Sequence, residues 1–116
     1  MTIVSLDKTT IKRGYQTLSV RGHAQADRIN DYDLVCCSCS MLLYTLIDSL
    51  DKHDLLLNAD EIEKQVNDSI ELGIIPDISI KMKWNRKSDE ILDTILNGYY
   101  LLQKNFKKNV KVLSYF

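Results

Sequence analysis

Apolar and polar residues alternate over Thr2 to Leu6 and again over Tyr15 to Arg21, where Thr17, Ser19 and Arg21 interleave with Leu18 and Val20. That period of two predicts a pair of strands, and Lys12-Arg13-Gly14 between them supplies turn chemistry, so the pair reads as a β-hairpin. Gly22 to Asp31 has no period and only one large apolar residue, Ile29. It reads as a poorly anchored loop, a candidate flap. From Tyr32 to about Asp51 the period becomes helical, with Val35, Cys39, Leu42, Leu43, Leu46, Ile47 and Leu50 on one face. Asn30 or Asp31 is placed to cap this helix, and Asp33 puts a carboxylate in its first turn.

Between His53 and Pro76 the pattern is ambiguous. Ile62, Val66 and Ile70 fit a helix at i+4 spacing, but together with Leu72 and Ile74 they also fit a strand, with Asn67-Asp68 as a turn. Strand and loop is the expectation there. Ile78, Ile80, Met82 and Trp84 alternate with Asp77, Ser79, Lys81 and Lys83, which predicts a half-buried strand after Pro76. Ser88 reads as the cap of a second helix, whose stripe is Ile91, Ile95, Tyr99, Leu102 and Phe106, widened by Leu92 and Leu96. Gly98 inside that helix costs about 1 kcal/mol against alanine, which a close helix contact would explain. Val110, Val112, Leu113 and Tyr115 predict a last strand. The order is ββα(β)βαβ. It implies an α/β chain of the α+β kind, with a mostly antiparallel sheet of four to five strands and two helices packed on it.

The length of 116 residues fits a single domain, residues 1–116. Fifteen basic and 16 acidic residues give no overall electrostatic case for nucleic acid, and no direct nucleic-acid binding is expected. The cluster Lys104, Lys107, Lys108 and Lys111 reads as a solvated helix end that complements the helix dipole. No apolar run approaches the roughly 20 residues that span a bilayer. The start of the chain lacks a signal-peptide pattern, so a cytoplasmic location is expected. Cys36, Cys37 and Cys39 are too crowded on one helix for a disulfide framework.

Candidate chemistry lies where the first helix begins. Asp33, Cys36 and Ser40 follow one another at steps of three and four and so share a helical stripe. Cys36 is expected in the first turn, where unpaired N–H groups and the dipole favour a thiolate. An ordinary thiol has a pKa of about 8.5, and thiols at helix starts or paired with histidine fall to ~3.5–7.5. His23, at the end of the second strand, is a candidate proton partner. Cys37 and Cys39 read as core residues, and His53 as a surface residue. The same residues leave other readings open: a buried structural cysteine with a satisfied histidine, a metal site from Cys36, Cys39 and His23, or a redox Cys36-x-x-Cys39 pair.

Gly22-His23-Ala24, a polar loop, then Asp33-Leu34-Val35-Cys36 and Ser40 resemble the ribosomal-processing cysteine protease family of bacteria. The stretch from Ile91 to Leu102 (Ile-Leu-Asp-Thr-Ile-Leu-Asn-Gly-Tyr-Tyr-Leu-Leu), followed by Asn109-Val110-Lys111, is similar to that family's second helix and last strand, most of all in members beside prophage structural genes. The resemblance implies a compact α/β fold, usually a homodimer. An exposed Tyr99-Tyr100 edge is a candidate dimer surface. It implies Cys36 as nucleophile and His23 as general base, with Asp33, Ser40 and Gly22 supporting, and no cofactor or metal. It implies a protein or peptide substrate, the N-terminal extension of a ribosomal or phage head protein, which could lie along the sheet edge. Asp31 stands where the family pattern has glycine and Cys37 where it has alanine. A catalytically weak or inactive dimeric binding module of the same fold is therefore the second reading.

Overall fold

Three of the four strands bury every second residue, and the buried sets meet across the sheet. The computed structural model describes residues 1–22, 29–72 and 77–116, giving the backbone alone at residues 29–34, 36 and 68–72. Its elements are β1 (Thr2–Asp7), a one-turn 3-10 helix (Ile11–Arg13), β2 (Tyr15–Arg21), α1 (Ile29–Lys52), α2 (Ala59–Leu72), β3 (Ile78–Lys83), α3 (Arg86–Asn105) and β4 (Val110–Tyr115). The strands form one sheet in the order β3-β2-β1-β4.

Val4 pairs with Val20 and Leu6 with Leu18 across β1 and β2, and Leu18 and Val20 in turn face Ile80 and Ile78 of β3. These side chains are buried in one cluster with Val35, Cys39, Leu43, Leu46 and Leu50 of α1 and Leu92, Ile95, Leu96 and Tyr99 of α3. The helices thus cover one face of the sheet. The predicted hairpin is present, and Gly14 closes its turn with φ of 91°, a conformation that favours glycine.

The predicted α+β architecture holds, with instructive differences. The sheet is mixed: β1 pairs antiparallel with β2 but parallel with β4. The reason is that α3 acts as a crossover, carrying the chain past β2 and β1 before β4 begins. Part of the stretch from His53 to Pro76, expected as strand and loop, is helical: α2 spans Ala59–Leu72. The i+4 spacing of Ile62 and Val66 prevails over alternation, since Ile62 is buried and Val66 packs against the same cluster. Residues 73–76 lie outside the described residues. Trp84, expected as the inward end of β3, follows its last residue and is exposed. Ser88 is not the cap of α3. Asn85 is, and its side chain accepts from the Ser88 N–H while the Ser88 hydroxyl accepts from the Asn85 N–H, a reciprocal capping pair.

Asn58 joins α2 to the sheet. Its side-chain amide donates to the Ser79 carbonyl (2.7 Å) and its carbonyl oxygen accepts from the Lys81 N–H (2.9 Å). It thereby extends along the outer edge of β3 the pairing that the backbone of residues 55–57 makes there. Asn58→Ala leaves the partly buried Lys81 N–H without this acceptor, so we expect a loss of about 1–3 kcal/mol in urea unfolding. The exposed control Asn97→Ala is expected to stay within about 0.5 kcal/mol.

Candidate active site

The glycine, histidine and cysteine of the sequence motif are carried by two elements, the end of β2 and the first half of α1. Gly22 directly follows β2 with φ of 78°. Its N–H donates to the Asp77 carboxylate at 3.0 Å, and a Cβ built on it would run into the Met1 carbonyl. Only glycine suits that backbone and that contact. The start of β1, the end of β2 and the approach to β3 therefore meet at Gly22. Asp77 carries no pattern that marks it as the anchor of this corner, and sequence reasoning missed it.

His23 and the polar loop as far as Arg28 lie outside the described residues. Ile29, Asn30 and Asp31, expected in that loop, belong instead to α1. Asn30 and Asp31 are therefore helical residues and not its cap. The shift alters the setting of Cys36, which is the eighth residue of α1 and not in its first turn. Its backbone lies about 10 Å along the axis from the helix start, beyond the first turn within which the dipole acts. The unpaired N–H groups at the helix start belong to residues 29–32.

Asp33, Cys36 and Ser40 do fall on one uninterrupted helix, and Ser40 is half-buried. Val35 and Cys39 are buried and Cys37 is exposed. Cys37, expected in the core, is thus a surface thiol, while Cys39 is the core cysteine the spacing predicts. His53 is exposed, as expected. Among the described residues no three His, Cys, Asp or Glu side chains converge where a metal ion would fit.

Two residues of α3 hold this part of α1. The Tyr99 hydroxyl donates to the Cys39 carbonyl at 2.9 Å. Burial pushes the Tyr99 phenol above its ordinary pKa, and the Cys39 thiol adds to the shift, so the hydroxyl keeps its proton and remains a donor. A Cβ at Gly98 would stand 2.6 Å from Leu42 Cδ2, which confirms the close helix contact expected there. Tyr99 is completely buried, which removes it from the candidate dimer edge.

The fold and the motif positions thus define a small α+β protein whose candidate nucleophile rides on a long helix. Comparison makes the class specific. The profile of the family described as cysteine protease Prp matches residues 1–111, and the chain belongs to that family. The essential ribosomal processing protease Prp from S. aureus, solved with a covalently linked product peptide, has a similar structure (TM-score 0.68, 16% identity, covering 98% of this chain and 99% of that one). SMU.848 from Streptococcus mutans is similar at TM-score 0.62 and 17% identity, covering 99% of this chain and 97% of that one. The S. aureus protease solved with a substrate peptide is similar at TM-score 0.62 and 13% identity, covering 98% and 99%. At these identities the likeness is one of fold. No curated protein matches the chain in sequence. Among the described residues no helix is long and apolar enough to cross a membrane.

Gly22→Ala tests the corner. An L-residue at this φ costs about 1–3 kcal/mol, so the urea midpoint is expected to fall accordingly. A change below about 0.5 kcal/mol would mean that the Met1 segment moves aside freely.

Proposed function

We propose that the protein is a cysteine endopeptidase with Cys36 as nucleophile and His23 as general base, and that residues 1–116 form one protease domain. Membership of the cysteine protease Prp family over residues 1–111 carries this reading, together with the Gly22-His23-Ala24 and Asp33-Leu34-Val35-Cys36 motifs. His23 takes the Cys36 proton, and the thiolate attacks the scissile carbonyl. The imidazolium returns that proton to the leaving amine, and water then releases the acyl group. Gly22 fixes the chain direction into His23. Asp33 and Ser40 flank Cys36 on its stripe and support the site.

The substrate we propose is the N-terminal extension of a ribosomal protein or of a phage head protein. The S. aureus protein with this fold is a ribosomal processing protease solved with peptides, which supports an extended peptide as ligand. We further propose a cytoplasmic location and a homodimer. Exposed Cys37 and the turns of α1 before Cys36 favour one second reading, a binding module of the same fold that has lost turnover.

The test is cleavage of peptides spanning the extension junction of a large-subunit ribosomal protein and of a phage head protein. Wild type is expected to cut one of them. Cys36→Ala is expected to lose about four orders of magnitude in kcat or more. Binding without cleavage by wild type would favour the second reading.

Iodoacetamide labelling against pH is a separate check. Wild type should show a fast-reacting thiol whose rate reaches half-maximum below about pH 8.5. That component should vanish in Cys36→Ala and persist in Cys37→Ala. Labelling that disappears with Cys37 alone would refute an activated Cys36.

A further inference from the structure

The overall charge balance hides an asymmetry. All 16 acidic residues lie at or before Asp93, so the stretch from Thr94 to Phe116 carries four lysines and no acidic side chain. Those lysines, Lys104, Lys107, Lys108 and Lys111, are all exposed and cluster where α3 ends and β4 begins.

Two grooves open among them. One, of about 340 Å³, is lined by Lys104, Lys107 and Lys111 with Met1, Tyr100 and Val110 among its walls. The other, of about 320 Å³, is lined by Lys104, Lys107 and Lys108. Lys104 and Lys107 border both, so the grooves form one continuous basic surface.

Several carbonyls at this helix end are capped without these charges. The Leu101 carbonyl accepts from the Asn105 side chain at 2.9 Å. The Leu102 carbonyl accepts from the Phe106 N–H, and the Phe106 carbonyl from the Asn109 and Val110 N–H groups. The Leu101, Leu102 and Phe106 carbonyls thus have other donors. Ion pairing does not account for these lysines: the salt bridges among the described residues involve Lys8, Lys52 and Arg86.

The backbone here is also committed. The outward Val110 N–H is bonded to the Phe106 carbonyl, and the Val112 N–H donates to Gln103 Oε1 at 2.7 Å. A peptide adding as a strand at this end of β4 would find those donors used. What the surface offers is ammonium groups and the half-exposed ring of Tyr100. Lysines bind phosphate as point charges, and an aromatic face accepts bases without regard to sequence.

We propose that this groove binds a single strand of RNA by its phosphates, with Tyr100 as a stacking surface. Binding does not depend on Cys36 or His23. It has a spatial relation to the proposed active site, because Met1 lines the groove and its carbonyl also abuts Gly22. A strand held there passes the corner from which the motif histidine departs.

The test uses a fluorescein-labelled 20-nucleotide oligouridine and fluorescence anisotropy at low salt, with the whole chain carrying Cys36→Ala. Saturable binding is expected, weakening with salt at a log–log slope of about −3, the value for roughly four phosphate contacts on a single strand. Replacing Lys104, Lys107, Lys108 and Lys111 with glutamine is expected to weaken binding at least about tenfold. A control with glutamine at Lys12, Lys52, Lys64 and Lys87, which changes net charge equally, is expected to shift it much less. Equal loss in both variants would overturn the proposal, as would absence of binding. Binding of poly-glutamate as tight as that of the RNA would do so too, by assigning the surface to acidic proteins.

Discussion

One buried hydroxyl determines where α1 lies. Along the seam between α1 and α3 the facing side chains are mostly aliphatic, and such packing resists separation more than it resists sliding. The Tyr99–Cys39 hydrogen bond is directional and admits one register. A buried hydroxyl without a partner costs about 1–3 kcal/mol by mutational measures, so a slip of α1 by one residue is penalised at this point. Gly98, the preceding residue, lets Leu42 approach closely enough for the bond to form. Cys36 lies one helical turn before Cys39, and the helix transmits that placement along its axis. The site is held from a residue that lies in none of its motifs.

A second constraint acts on the edges of the sheet. An open edge strand presents unpaired N–H and C=O groups and invites unwanted pairing. Here a side-chain amide occupies part of each edge. Asn58 bonds across β3, and the adjoining chain adds bonds from the Leu57 N–H to the Lys81 carbonyl and from the Lys83 N–H to the Leu55 carbonyl. Gln103 does the same for Val112 of β4. A substrate peptide extending either of these stretches would have to displace an internal bond.

The first three strands and the long helices were legible because each carries a clear period. Val4, Leu6, Leu18 and Val20 alternate and are buried, and the α1 face from Val35 to Leu50 is apolar at helical spacing and faces the core. What misled was local ambiguity. Ile62 and Val66 satisfy both periods, and only the tertiary position of α2 beside β3 decides between them. Helix starts were misread for a related reason, since several polar residues in a row each qualify as a cap. Asn85 and Ser88 are both competent, and their reciprocal bonding is visible only in three dimensions. Cys37 and Cys39 look alike in sequence, and one 200° step around the helix separates surface from core. The family motif was legible outright. The partners of Gly22 and Cys39, namely Asp77 and Tyr99, come from distant segments, and no pattern along the chain links them.

The early start of α1 bears on how a thiol at position 36 would be activated. Asp31 stands where the family pattern has glycine, and glycine is about 1 kcal/mol worse than alanine inside a helix. Its absence favours helix continuing back to Ile29. In an α-helix the N–H of residue 36 is committed to the carbonyl four residues earlier, so it is no free donor for an oxyanion, and the dipole is spent within the first turn. Of the two influences that the motif offers Cys36, the helix terminus is thereby removed and pairing with an imidazole remains. On the proposed mechanism, His23 then does more than carry a proton during turnover. It holds the thiolate beforehand as the imidazolium partner of an ion pair, and the nucleophile is then lost when the thiolate itself takes a proton.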